Sequence, residues 1–286
     1  MGTIDYMINA LSFDLEYWYS AEYVSRYMSD QDKHADQVAQ PVAQILRLLD
    51  KYNAKATFFV LGELAKKYPE TVREIFSKGH EIASHGYSHK FLREIGRERF
   101  ADETAKTCDI LESITGQNPI GFRAPNFSID HSTSWAFEIL KEHGFRYDSS
   151  IFPVRTILYG VNNVPLSPYS LLLTDFSKPV PDGDIIEFPI SVLKTRFKNI
   201  PFAGGFYFRA LPTWFLKTAI KKINKSRPAV IYLHPWETYR QTPQIKGIPV
   251  FARFITYYRT NSALKKLENL LKTFKFGPLR EVLHLN

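Results

Sequence analysis

Hydrophobic and polar positions along this chain switch repeatedly between a period of two and a period near 3.6, which predicts strands and helices in turn. Ile8 to Glu16 reads as a strand, and Val38 to Tyr52 as a helix with an apolar face of Val42, Ile45, Leu46 and Leu49. Ala56 to Leu61 is rich in β-formers, Tyr68 to Lys78 has helical spacing, and Glu81 to Ser84 is a short apolar strand. A long amphipathic helix runs from Arg97 to Thr115 and is closed by Gly116. Further strands are predicted at Ile120 to Arg123, Ile185 to Val192 and Ala229 to Leu233, with helices at His131 to His143, Leu211 to Asn224 and Ser262 to Phe274. Repeated strand and helix units imply an α/β fold on a parallel sheet, open or closed into a barrel.

One stretch breaks the rhythm. Residues 151–184 are rich in Pro, Ser, Asn and Leu and exceed an ordinary connection, so we expect them to form a wall of a substrate groove. The 286 residues, 44% hydrophobic and 15% aromatic, are read as one domain over 1–286, since no low-complexity segment divides them. The net charge of +8 is uneven. From Leu211 to Asn286 there are 14 Lys and Arg against 3 Asp and Glu, so this segment is +11 and the rest about −3. The basic amphipathic run Trp214 to Lys225 fits an anionic membrane surface or, more simply, an outer helix with a solvated lysine face. No recognition motif accompanies the basic residues, which argues against nucleic acid.

The single cysteine, Cys108, lies in a helical pattern and reads as a core residue. No stretch is long enough to span a bilayer. Met1 to Tyr6 lacks a charged start and apolar run, and Tyr6 stands where myristoylation wants Ser or Thr. We therefore expect a cytoplasmic protein, at most peripheral to a membrane. Whether Met7 is the original start, and whether the chain forms a homo-oligomer, stay open.

Ser84-His85-Gly86-Tyr87-Ser88-His89 carries the most specific chemistry. If the segment opens a helix, His85 and His89 lie one above the other and can face one divalent cation. A catalytic zinc usually has three protein ligands and one open position. Asp14 and Glu16 share a side of the first strand and offer a third. Gly121 to Asn126 places Arg123 and a stiff proline at another strand end, and Ala229 to Leu233 runs into His234, locked by Pro235. Alone, Arg123 reads equally well as a structural ion pair and His234 as a satisfied core histidine; together they form a pattern.

That pattern resembles the polysaccharide deacetylases of the NodB-homology family, carbohydrate esterase family four. The matching pieces are Ser12-Phe13-Asp14, His85 to His89, Arg123-Ala124-Pro125 and Leu233-His234. Tyr147 to Pro153, Ile186 to Pro189, Gly204 to Arg209, His234 to Glu237 and Phe276 to Glu281 look closest to the branch associated with exopolysaccharide export loci. The resemblance implies a distorted, incomplete (β/α) barrel of about seven parallel strands, with 204–286 completing it and the site at strand C-termini. It also implies metal-dependent removal of an N-acetyl group from an amino-sugar polysaccharide or its precursor. Glu16, His85 and His89 would hold a divalent metal, zinc first. Asp14 would act as base, Arg123 would hold it, and His234 would act as acid. Asn126 would bind substrate, while Tyr207, Trp236 and Phe208 read equally well as substrate-binding platforms for sugar rings and as core packing.

Two departures stand out. Leu15 occupies the position of the family's second aspartate, so Glu16 must reach the metal or exchange roles with Asp14. Asn126 replaces a common tyrosine, and Asp148 and Glu187 compete to orient Arg123 or His234. Two other readings are a hydrolase of small cyclic amides, as in allantoinase-like relatives, and a non-catalytic glycan-binding or membrane-associated protein.

Overall fold

The computed structural model of the chain describes residues 7–28 and 37–285. The first six residues, on which the expectation about a leader falls, lie outside the described residues. The strands are β1 (Ile8–Leu15), β2 (Thr57–Val60), β3 (Glu81–Ser84), β4 (Gly121–Phe122), β5 (Tyr147–Asp148), β6 (Tyr169–Leu172), β7 (Asp175–Pro179), β8 (Ile186–Glu187), β9 (Val192–Lys194), β10 (Asn199–Pro201), β11 (Val230–Leu233) and β12 (Lys275–Gly277). Seven run side by side and parallel in the order β11-β1-β2-β3-β4-β5-β8. The antiparallel strands β6 and β7 extend the β8 edge, and β12 joins β1.

β1 is central and buried from Asn9 onward, as expected of a parallel strand covered on both faces. The sheet curls strongly. Arg123, just past β4, reaches across to hydrogen-bond the Ser12 hydroxyl of β1 at 2.8 Å, although two strands separate them in the sheet. The edges are tied by side chains and a single bridge: Val230 N–H donates to Ser191 Oγ at 2.8 Å, and Gly204 pairs with Tyr232. The result is the incomplete barrel the resemblance implies. Phe13, Phe58, Phe59 and Phe188 fill the main core, each burial stabilising by about 1.5–3 kcal/mol.

The predicted helices form with shifted ends. Ala39–Lys51 buries Val42, Ile45, Leu46 and Leu49. The 97–115 helix is preceded by a short turn broken at Gly96 (φ +74°) and ends at left-handed Gly116, whose N–H caps Glu112 O. The helix expected from His131 begins only at Ala136, because Asp130, Ser132 and Thr133 bond one another locally instead. The strand expected over Ile185 to Val192 divides into β8 and β9, since Pro189 between them has no N–H to give a ladder. Short helices at Gly62–Lys67, Gly205–Ala210 and Val250–Tyr257 were not predicted. The 213–223 helix packs Leu216, Ala219, Ile220 and Ile223 inward and leaves Lys221 and Lys222 exposed, the outer-helix arrangement. Cys108 is buried. Among the described residues no helix is long and apolar enough to cross a membrane.

Candidate metal and hydrolytic site

Asp14 and Glu16 lie at the C-terminal end of β1, and both are buried. Alternation turns the two carboxylates one way and Leu15 into the core. That is why Leu15 can stand between two acids without disturbing the site.

His85 follows β3 directly, but the helix expected across His85 to His89 does not form. The chain turns instead, with Gly86 at φ +73° and His89 at φ +55°. The turn is held by its neighbours. Gly86 O and Tyr87 O accept the N–H groups of Gly62 and Glu63, which open the Gly62–Lys67 helix upstream, and Ser88 donates to Glu103 at 2.7 Å. A left-handed non-glycine residue costs of order 1–3 kcal/mol, and such contacts offset it. The imidazoles therefore meet through a turn, their ring centroids 5.5 Å apart.

His85 Nδ1–H donates to Arg123 O at 2.7 Å, which leaves Nε2 as the free lone pair facing Glu16. His89 Nε2 lies 2.5 Å and His85 Nε2 3.9 Å from Glu16 Oε2. One ligand atom from each of Glu16, His85 and His89 lies within 4.8 Å of the other two. Burial, and then the neighbouring His89, push His85 down to about 3, so it is neutral and able to ligate. Burial works against the charge on Glu16, but His234, His89 and His85 outweigh it and hold the carboxyl below its ordinary value. Trp236 Nε1–H donates to Glu16 Oε1 at 3.2 Å and fixes that carboxylate from behind. A carboxylate, two imidazoles and bonds that orient two of them form a donor set suited to a divalent cation.

Arg123 is fully buried and donates from Nη1 to Asp14 Oδ1 at 2.7 Å, while Ser149 takes its Nε–H and Nη2–H at 3.0 and 2.9 Å. Its guanidinium lies 4.2 Å from the Phe59 ring centre. Across the cavity, His234 Nε2 is 3.9 Å from Asp14 Oδ2 and 3.6 Å from Glu16 Oε1. Its Nδ1 contacts Glu237 Oε2 at 2.9 Å, and Arg209 Nε–H donates to Glu237 Oε1 at 2.7 Å. Sequence reasoning left the orienting role to Asp148 or Glu187, and neither hydrogen-bonds Arg123 or His234. They pair with each other in register across β5 and β8. Asp148 instead accepts from Ser150 Oγ at 2.6 Å, and Ser150 Oγ accepts Ala124 N–H, so this acid braces the Arg123 loop indirectly. Burial, then the adjacent Asp148, push Glu187 well above its ordinary value. The signal for Glu237 was present: a carboxylate three residues after a histidine, in a turn opened by Pro235, can fold back onto it.

Asn126 and Tyr207 line the cavity beside the carboxylates. Phe208 does not; it is fully buried in the main core. Trp236 is also buried, stacked at 5.6 Å on His234, so its role is to support Glu16 rather than to offer an open face to a sugar. The cavity measures about 130 Å³ and shares Leu158 and Tyr159 with a trough of about 580 Å³. That trough is walled largely by the irregular 155–163 stretch, where a groove wall was expected.

A profile of the polysaccharide deacetylase family matches residues 32–147. Residues 32–147 are thus similar to a polysaccharide deacetylase domain. Residues 149–284 match a second profile, a domain of unknown function, DUF3473. A peptidoglycan deacetylase-like protein of Gibberella zeae is 33% identical over 156 residues, covering 52% of this chain and 45% of that protein. The peptidoglycan deacetylase of Helicobacter pylori is 30% identical over 154 residues, 52% of each chain. The matched region thus spans about half the length of these curated relatives. A solved structure from Mycobacterium smegmatis, provisionally assigned as a polysaccharide deacetylase, shares the fold with a TM-score of 0.63 at 21% identity, over 100% of this chain and 92% of that one. His85, His89 and Arg123 fall within the segment that the deacetylase profile matches, Asp14 and Glu16 precede it, and His234 follows it.

Proposed function

We propose that this chain is a metal-dependent hydrolase that removes an N-acetyl group from an amino sugar in a polysaccharide or its precursor. The observation that carries the reading is the opposed placement of Asp14 with Arg123 and His234 with Glu237 around the Glu16, His85 and His89 cluster, at one small cavity. A divalent cation, zinc by preference for this nitrogen-rich donor set, would be held by those three residues and would polarise the acetyl carbonyl and acidify water.

Asp14 then acts as the base. Its Oδ1 is held by Arg123, and its Oδ2 is the oxygen turned toward His234 and the cavity. It takes a proton from the attacking water, whose oxygen bonds the carbonyl carbon. The turn at Asn126 spends the Phe127 and Ser128 N–H groups on Ala124 O and Pro125 O, and we assign the Asn126 N–H to the developing oxyanion. His234 supplies the proton that the departing nitrogen needs as the C–N bond breaks, which yields acetate and a free amine. In the metal-free protein burial opposes charge on His234, but Glu16, Glu237 and Asp14 outweigh it and push the ring up to about 9.

A cavity of about 130 Å³ suits an acetamido group, and the trough beside it suits further sugar rings. This favours a polymeric substrate over a small cyclic amide. Acetate release from N-acetylglucosamine oligomers and peptidoglycan, with metal analysis of the same sample, tests the reading. The parent should release acetate, and Asp14→Asn should keep metal while releasing none. Metal-loaded protein that hydrolyses only a small cyclic amide would reassign the substrate. A chain that stays metal-free would refute the hydrolase reading.

A further inference from the structure

We infer that residues 149–284, the segment matched by a profile of unknown function, build the acid half of the hydrolytic site, with Arg209 acting through Glu237 as the positioning residue for His234. The inference rests on His234 being the acid.

Glu237 Oε2 accepts both the backbone N–H and the ring Nδ1–H of His234, at 3.1 and 2.9 Å, so the imidazole is gripped at two points and its Nε2 is aimed at the cavity. The other Glu237 oxygen is taken by Arg209. Arg209 is 2% exposed. Its Nη1 and Nη2 donate to Tyr258 O and Ile255 O at the end of the 250–257 helix, so the guanidinium has no freedom to swivel. The segment bearing Arg209 is fixed in turn. Lys266 Nζ donates to Phe208 O, Arg209 O and Leu211 O, the carbonyls a helix leaves unpaired at its C-terminus. At the other end, a Cβ on Gly204 would lie 2.2 Å from the Tyr232 ring, so only glycine lets the 205–210 helix start against β11.

Four separate stretches, 204–211, 234–237, 250–258 and Lys266, therefore converge on one imidazole, and all lie beyond the deacetylase match. A buried arginine and glutamate pair is a poor route to stability, because desolvation absorbs most of the Coulombic gain. Fixing the angle of an acid is a role that an apolar pair of the same volume does not fill.

The test compares two substrates on the zinc-loaded full chain: an N-acetylated glycan oligomer and 4-nitrophenyl acetate, whose phenolate leaves without being protonated. Arg209→Lys and Glu237→Gln should lower kcat on the glycan by roughly 10–100-fold with little change in KM. Ester hydrolysis and metal content should stay near the parent, while the urea midpoint should fall for Glu237→Gln, which leaves Arg209 a buried uncompensated charge. Arg209→Lys should add no further loss in a His234→Ala background. Parallel loss on both substrates, or a further loss in that background, would overturn the inference. A parent that releases no acetate, or a His234→Ala variant at the parent rate, would refute the underlying function instead.

Discussion

Replacing Arg123 by methionine removes the buried cation while keeping most of the stem that packs on Phe59. Arg123 is wholly buried, and Asp14, 2% exposed, is its ion-pair partner at 2.7 Å. With the guanidinium gone, the Asp14 carboxylate stays desolvated without its hydrogen-bonded counter-charge and keeps only His234 at 3.9 Å, and breaking such a pair costs about 3–5 kcal/mol. Ser149 O and Ser149 Oγ also lose donors, but these losses share one relaxation and do not add in full. We therefore expect urea unfolding of the metal-free protein at pH 7 to show a loss of about 4 kcal/mol, large against a typical total of about 5–15 kcal/mol. The paired variant Asp14→Asn with Arg123→Met leaves no orphaned charge. Its cost should fall short of the two single costs together by about 2 kcal/mol. A single Arg123→Met variant within about 1 kcal/mol of the parent, or single costs that simply add, would refute the claim that these groups hold each other in the folded state.

Other perturbations reach different parts of the structure. Trp236→Phe keeps the ring stack but deletes the N–H that fixes Glu16, so zinc affinity measured by competition with a chelating dye should fall about 10–100-fold. His80 is buried, accepts the Ala56 N–H through Nδ1, and is pushed down to about 4 by burial and then by Lys55. Its folded pKa lies below the ordinary 6.5, so its contribution is full above pH 6.5 and is lost as pH falls from there toward 4. Over that window the decline of stability against urea should be steeper in the parent than in His80→Gln by a slope approaching one proton. Gly204→Ala forces a methyl into the Tyr232 ring and should cost about 1–3 kcal/mol of stability by overpacking, read as a shift in the urea midpoint.

Much of this arrangement was legible one segment at a time. The apolar runs at β1, β2, β3 and β11 and the helices at 39–51 and 97–115 show in hydrophobic spacing, because their buried faces are local to each element. Short strands such as β5 and the β9 and β10 hairpin do not show, since two or three residues carry no period. The helix expected at His85 was a reasonable inference from spacing and failed for an identifiable reason. Gly86 takes a left-handed turn, and the carbonyls that follow cap the Gly62–Lys67 helix, a partner more than twenty residues upstream that local spacing cannot reveal.

The sequence by itself determined which chemical groups were available: two carboxylates flanking Leu15, two histidines four apart, an arginine before a proline and a histidine at a strand end. It also determined that they would sit at strand ends, because each follows its own apolar run. Only the tertiary structure decided the partnerships. Asp14 lies with Arg123, Glu16 with the histidines and Trp236, and His234 with Glu237 and Arg209. The curl of the sheet sets which strand ends share a cavity, and a buried charge takes the counter-charge that folding brings within about 3 Å, whatever their separation along the chain.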